Sequence, residues 1–200
     1  MGLYHTNPKL EEFRTAVKLS EDKLRLIREN LEEFEAIVNT LGKEEEAHQF
    51  LKNSSIILGV TSNIEPISKF NLGSEHIPDF VIREIPDGVI FVEIERPGIQ
   101  LFKKGKKNQP PERTRDFNHA IEQIENWRAL VKGHHSYIAS NLAEVSPNPL
   151  CWLIAGRRTQ LSKKEVERLA EINDEYKGSY KIFTYDDLID RVKAIISNMD

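Results

Sequence analysis

Residues 77–97, IPDFVIREIPDGVIFVEIERP, hold the reading on which the fold turns. Ile77 to Ile85 and Val89 to Ile94 are rich in β-branched and aromatic residues, with the turn signal Pro86-Asp87-Gly88 between them. The stretch predicts an antiparallel hairpin. Folding it about Asp87-Gly88 brings Asp79 opposite the region Glu93 to Arg96, within a residue or two of register. Side chains alternate along a strand, so Glu93 and Glu95 share a face with Phe91. Three carboxylates then gather at one end of an apolar hairpin. They repel one another and are costly to desolvate unless a cation sits among them. Oxygen donors of this kind favour a hard ion, Mg2+ or Mn2+, over zinc. The same alternation also fits a wet strand face with ordinary strand-entry chemistry at Pro78-Asp79, and spacing alone leaves both readings open.

Charge sharpens the first of them. From Arg96 to Arg115 there are seven basic residues (Arg96, Lys103, Lys104, Lys106, Lys107, Arg113 and Arg115) against the single acid Glu112. That segment carries +6, which leaves −10 on the rest of a chain whose net charge is −4. Lys103 to Pro111 has no periodic apolar pattern and reads as a mobile loop. Its composition suits a solubilising loop or a phosphate-binding one, since Lys and Arg supply the sequence-independent part of nucleic-acid affinity. A metal site beside a phosphate-attracting loop is the arrangement expected for phosphodiester hydrolysis.

The 200 residues, 39% hydrophobic with nine Phe, five Tyr and two Trp, supply a core and exclude a wholly disordered chain. No apolar run approaches the ~18 residues of a membrane span, and MGLYHTNPKL lacks the apolar stretch of a signal peptide. Cys151, the single cysteine, excludes an internal disulfide and a cysteine-based metal cluster. The chain reads as cytoplasmic.

Apolar residues at Leu10, Phe13, Val17, Leu24, Ile27, Leu31, Phe34, Val38 and Leu41 predict helix up to the stop signal Gly42. Two outcomes fit that stripe: a coiled coil that makes the chain a homo-oligomer, or amphipathic helices packed on the chain's own core, which Leu26 and Ile37 favour. The division expected is a helical segment, 1–42, and an α/β domain, 43–200. From Lys43 a short helix carries Ala47, Phe50 and Leu51 on one face, with Glu44 the acid of its run nearest that face. Ser55 to Val60 looks like a strand. After the basic loop comes a helix with Phe117, Ala120, Ile121, Ile124, Trp127 and Val131 in one stripe. Leu150 to Ala155 reads as a buried strand, Lys163 to Tyr176 as a helix, Tyr180 to Thr184 as a strand, and Tyr185 onward as a closing helix. The order predicts a mixed sheet flanked by helices. His48 and His119 read as ordinary polar helix positions and His134-His135 as a solvated helix end, while His76 could approach the acids. Cys151 reads as a buried inert thiol, and Arg157-Arg158 as either basic surface or a strand-end charge pair.

Pro78-Asp79 followed by Glu93-Ile94-Glu95 on the next strand resembles the PD-(D/E)XK nuclease core. Together with Glu44 in a preceding helix, Gln123 and Trp127 in a following one, and IFTYDDLIDRV at 182–192, the order is similar to the nuclease domain of the Shedu antiphage defence family. The resemblance runs from about Lys43 to the C-terminus. It implies a restriction-endonuclease-like fold and an endonuclease that cleaves DNA with Mg2+ or Mn2+ in defence against phage. Asp79 and Glu93 would ligate the ion, with Glu95 as third ligand or general base. Glu44 would be an additional acid, and Gln123 would orient ligands or the phosphate. Arg96 and the Lys103 to Arg115 segment would hold the DNA backbone, and residues 1–42 would form an appendage outside the core. One position departs from the pattern: the family motif usually ends in Lys, and here it ends in Glu95. A glutamate there can itself serve as metal ligand or general base, or Arg96 or a lysine of the 103–107 loop takes the lysine's role, or catalysis has been lost and a nucleic-acid-binding or sensing protein remains.

Overall fold

The computed structural model describes residues 21–54, 56–59, 66–72, 77–84, 88–105 and 109–198. Three helices come first: α1 (Glu21–Asn39), α2 (Glu44–Asn53) and the short α3 (Ile56–Gly59). Strands β1 (Ile67–Ser68), β2 (Phe80–Glu84) and β3 (Gly88–Ile94) follow, then helices α4 (Arg115–Gly133) and α5 (His135–Asn141). The chain closes with β4 (Leu150–Ile154), α6 (Lys163–Glu175), β5 (Tyr180–Phe183) and α7 (Tyr185–Ser197). The strands form one sheet in the order β1-β2-β3-β4-β5. β1, β2 and β3 pair antiparallel, whereas β3, β4 and β5 run parallel. This is the mixed α/β sheet that the element order predicts.

The hairpin has the expected register. Phe80 faces Val92 and Glu84 faces Gly88, so Asp79 stands level with Glu93, one step beyond the paired residues. Alternation along β3 divides the core between the two faces of the sheet. Val81, Val89, Phe91, Cys151 and Leu153 pack with the α4 stripe Phe117, Ala120, Ile121, Ile124, Trp127 and Val131. Phe80, Ile82, Ile90, Val92, Ile94 and Trp152 pack on the other face with α1, α2 and α7. Burial on both faces explains why β3 and β4 read as nearly unbroken apolar runs.

Three expectations need correction. Ser55 to Val60 is not a strand: residues 56–59 form α3, with Ile57 and Leu58 buried beside β2 and α7. A run of four to six apolar residues satisfies a buried helical turn as well as a strand, and here packing decides. The third antiparallel strand is instead the two-residue β1, which carries no pattern of its own. Residues 21–39 are not an appendage. Ile27, Leu31, Phe34 and Val38 are buried in the sheet's own core, where α1 packs against α7. A seam between copies therefore has no free apolar stripe in α1, although Leu26 is exposed. Leu10, Phe13 and Val17 lie outside the described residues.

Arg157 fastens α1 in place. Its guanidinium donates to the Val38 carbonyl and to Asn39 Oδ1, both at 3.0 Å, and to both oxygens of Asp186 at 2.9 and 3.0 Å. Arg158 pairs with Asp187 and Asp190 of α7. The arginine pair is thus neutralised by α7 and does not extend a basic surface. Cys151 is fully buried, and burial pushes its thiol up to about 12, so it is inert as expected.

Candidate active site

The site forms where the antiparallel and parallel parts of the sheet meet, at the C-terminal end of β3. Pro78 cannot donate to the ladder, so pairing of β2 with β3 stops there. The Asp79 side chain takes over: its Oδ2 accepts from the Ile94 N–H at 2.9 Å. That bond fixes the carboxylate at the strand end, 5% exposed. Its other oxygen, Oδ1, contacts Lys69 Nζ and lies 3.7 Å from His48 Nε2. Glu93, 7% exposed, sits on the same face as Phe91 and level with Asp79 across the hairpin. The backbone of Glu95 is held on both sides. Its N–H donates to the Ile154 carbonyl at 2.8 Å, and its carbonyl accepts from the Tyr185 hydroxyl at 2.7 Å.

Electrostatics show that these groups share one region. Burial first, and then the negative charges of Asp79, Glu95 and Glu44, drives the Glu93 carboxyl far above the usual range. Glu95 is pushed up to about 7 by burial and by Glu44, Asp116 and Asp79, with Arg96 opposing. Glu44, at the open start of α2, is raised by loss of water around its carboxyl and by Asp79, while Lys69 and Arg96 oppose. Four acids, Glu44, Asp79, Glu93 and Glu95, therefore compete to stay ionised in one place. In this arrangement the compensation comes from Lys69, from Arg96 and from protons. Among the described residues no three His, Cys, Asp or Glu side chains converge as a ready-made metal cage. The donor chemistry nevertheless fits a hard divalent cation: clustered carboxylates, partly buried, with too little positive charge of their own.

The remaining expected residues divide. Gln123 lies two turns beyond Asp116 on the same side of α4, half-buried, without a hydrogen bond among the described residues, so nothing ties it to the acids. Lys103, Arg113 and Arg115 line a groove of about 650 Å3 with Asp116, Asn118, His119 and Glu122. Asp116 also acts on Glu95, so this basic groove adjoins the acidic centre. Arg96 and Lys104 are exposed. Lys106, Lys107 and His76 lie outside the described residues. The base of the loop is pinned, not mobile. Phe102 bridges Arg113, and the Lys103 N–H donates to the Glu112 carbonyl at 2.8 Å. Thr114 caps α4 and also donates to the Gln100 carbonyl at 2.6 Å.

Two residues at the site escaped sequence reasoning. His48 is no ordinary polar position: it is 7% exposed, its ring stacks on Phe80 at 4.9 Å, and Nε2 is buried without a hydrogen-bond partner. Its spacing held the signal, since it falls one turn after Glu44. Lys69 stands in the turn directly after β1 and had no such signal. His135 is a structural residue whose ring bonds the Val145 carbonyl at 2.8 Å.

No curated protein matches the chain significantly. A family model described as the Shedu protein SduA, C-terminal, matches residues 42–189. That span covers well over half of the chain and takes in all four clustered acids and the hairpin that holds them. The chain belongs to the Shedu family, through its SduA C-terminal domain.

Proposed function

We propose that the protein is a metal-dependent nuclease that cleaves DNA phosphodiester bonds, with a restriction-endonuclease-like core, acting in the cytoplasm in defence against phage. The observation that carries this reading is the gathering of Glu44, Asp79, Glu93 and Glu95 at the end of β3, where burial and mutual repulsion hold Glu93 and Glu95 above the usual carboxylate range. Such a cluster is destabilising on its own and becomes favourable with a cation. Asp79, Glu93 and Glu95 would hold Mg2+ or Mn2+, with Glu44 as an additional acid. The bound ion would polarise the phosphate and lower the pKa of a coordinated water. The protein's own groups do the rest. The Ile94 N–H and the Tyr185 hydroxyl keep Asp79 and the Glu95 backbone in place. Glu95, where it does not ligate the ion, would take the proton of the attacking water, and Gln123 would have to reach the phosphate itself from α4, since it makes no hydrogen bond to the acids. Arg96, Lys103, Lys104, Lys106, Lys107, Arg113 and Arg115 would hold the DNA backbone, with little preference for sequence.

A second reading, a catalytically inactive binding or sensing protein, is favoured by Glu95 at the motif's lysine position, with no ready-made cage among the described residues. Calorimetry with Mg2+ and Mn2+ separates the two, run on wild type and on Asp79→Ala/Glu93→Ala, with plasmid nicking on the same samples. Binding and nicking, both lost in the variant, support the nuclease. Salt-sensitive DNA binding with neither metal uptake nor nicking supports the inactive form.

A further inference from the structure

Lys69 is held at the acids by more than its charge. The pairing of Ser68 with Phe80 puts it level with Asp79, and its N–H donates to the Asp79 carbonyl at 3.0 Å. Its backbone is left-handed, with φ 55°, a conformation that side chains bearing a Cβ rarely adopt and that marks functional positions. The turn delivers Nζ onto Asp79 Oδ1, within electrostatic reach of Glu93 and Glu44. The side chain is nevertheless 54% exposed. A side chain anchored on a buried carboxylate yet more than half exposed stands between the acids and the solvent from which a phosphate would come.

The acids need a cation there for a second reason. A phosphodiester is an anion, and four carboxylates repel it. Glu95 adds to that repulsion, and Arg96 makes no hydrogen bond to a carboxylate among the described residues. Resting on the nuclease reading above, we infer that Lys69 is a catalytic residue whose ammonium hydrogen-bonds the attacking water and the scissile phosphate. In the step it assists, the water oxygen bonds to phosphorus and its proton passes to Glu95. The P–O ester bond breaks, its electron pair stays on the leaving oxygen, and that oxygen takes a proton from solvent. An ammonium in this position opposes the charge that builds on the phosphate in the transition state.

The test uses Lys69→Ala and Lys69→Cys, with calorimetric Mn2+ binding and nicking of supercoiled plasmid on each. Alkylating the new cysteine with 2-bromoethylamine restores an ammonium at lysine length, and buried Cys151 does not compete. The expected result is Mn2+ affinity within about threefold of wild type and nicking about 100-fold slower in both variants, as for other groups that stabilise developing charge. Alkylation of Lys69→Cys restores most of the rate. Wild-type nicking by Lys69→Ala overturns the inference, and tighter Mn2+ binding beside it makes Lys69 a placeholder for the metal. Loss of Mn2+ binding with nicking, unrestored by alkylation, also overturns it and makes Lys69 a prop for Asp79. A wild type that binds Mn2+ but never nicks, or does neither, overturns the nuclease reading and this inference with it, so the two failures are told apart by the wild-type sample.

Discussion

Glu95 and Glu93 tie protonation to stability with a definite sign. A carboxyl whose pKa is higher in the folded than in the unfolded chain holds its proton longer in the fold. Its ionisation therefore destabilises the fold as pH rises past the unfolded value. For Glu95 that window opens near its ordinary value of 4.5 and closes at about 7; Glu93, raised further in the same direction, extends it upward. Metal-free protein in EDTA should lose Tm steadily from pH 5 to pH 8. Glu93→Gln removes the cost of keeping that buried carboxyl protonated and should raise stability at pH 8 by roughly 1–2 kcal/mol, about 2–4 °C of Tm per kcal/mol, while abolishing nicking. Thermal melts of both proteins across that range check this, and a wild-type Tm that rises with pH would contradict it. Of the residues involved, the hairpin acids were legible because strand alternation and a strong turn signal suffice to bring them together. His48 and Lys69 were not. A histidine in an amphipathic helix looks solvated until Phe80 packs on it, and a lysine two residues into an unpatterned stretch acquires its role only from the register of β1.

At the scale of elements, what could be read in advance followed the strength of the periodic pattern. The six apolar positions of the α4 stripe are all buried, and β4 is a buried interior strand, as its unbroken apolar run predicts. The misread pieces are the short ones, α3 and β1, whose state depends on neighbours distant in sequence. The placement of α1 is of this kind. Its stripe fits a partner helix in another copy or α7 in its own chain, and the choice rests partly on Arg157. That guanidinium donates to the Val38 carbonyl and the Asn39 side chain at the end of α1 and pairs with Asp186 in the first turn of α7, where a carboxylate also suits the helix dipole. Burial opposes ionisation of Asp186, but the bonds from Arg157 and the Arg158 backbone hold its carboxyl below the ordinary range. Asp186→Ala leaves a buried guanidinium unpaired and should cost about 3–5 kcal/mol in urea unfolding. Amide exchange should speed first in α1. Replacing both partners, Arg157→Met with Asp186→Leu, should recover much of the loss, because no charge is then left buried. Equal loss in the single and double variants would show that the pair does not anchor the helix.

Over the whole molecule, charge is divided between one strongly basic segment and an acidic remainder, and DNA affinity should report on that segment. The +6 segment adjoins the acidic centre through Asp116, while the remaining −10 repels a phosphate backbone from other directions. Each phosphate neutralised by Lys or Arg releases condensed counterions, so the logarithm of the binding constant falls linearly with the logarithm of salt concentration, by about 0.9 per contact on duplex DNA. Lys104 and Arg115 are exposed at the loop and at the start of α4. Lys104→Ala with Arg115→Ala should flatten the slope by about 1.8, equally for unrelated duplexes, because contacts to phosphate carry no sequence information. Lys103 differs, because its Nζ is 3.0 Å from Glu112 across the base of the loop. Glu112→Gln frees that ammonium and removes the segment's only acid, so it should tighten binding and steepen the slope by about 0.9. Fluorescence anisotropy in EDTA, over a series of salt concentrations, measures all of these without cleavage. Slopes unchanged in both variants would move the DNA-binding surface away from this segment, and the acidic centre would then need another route to a phosphate.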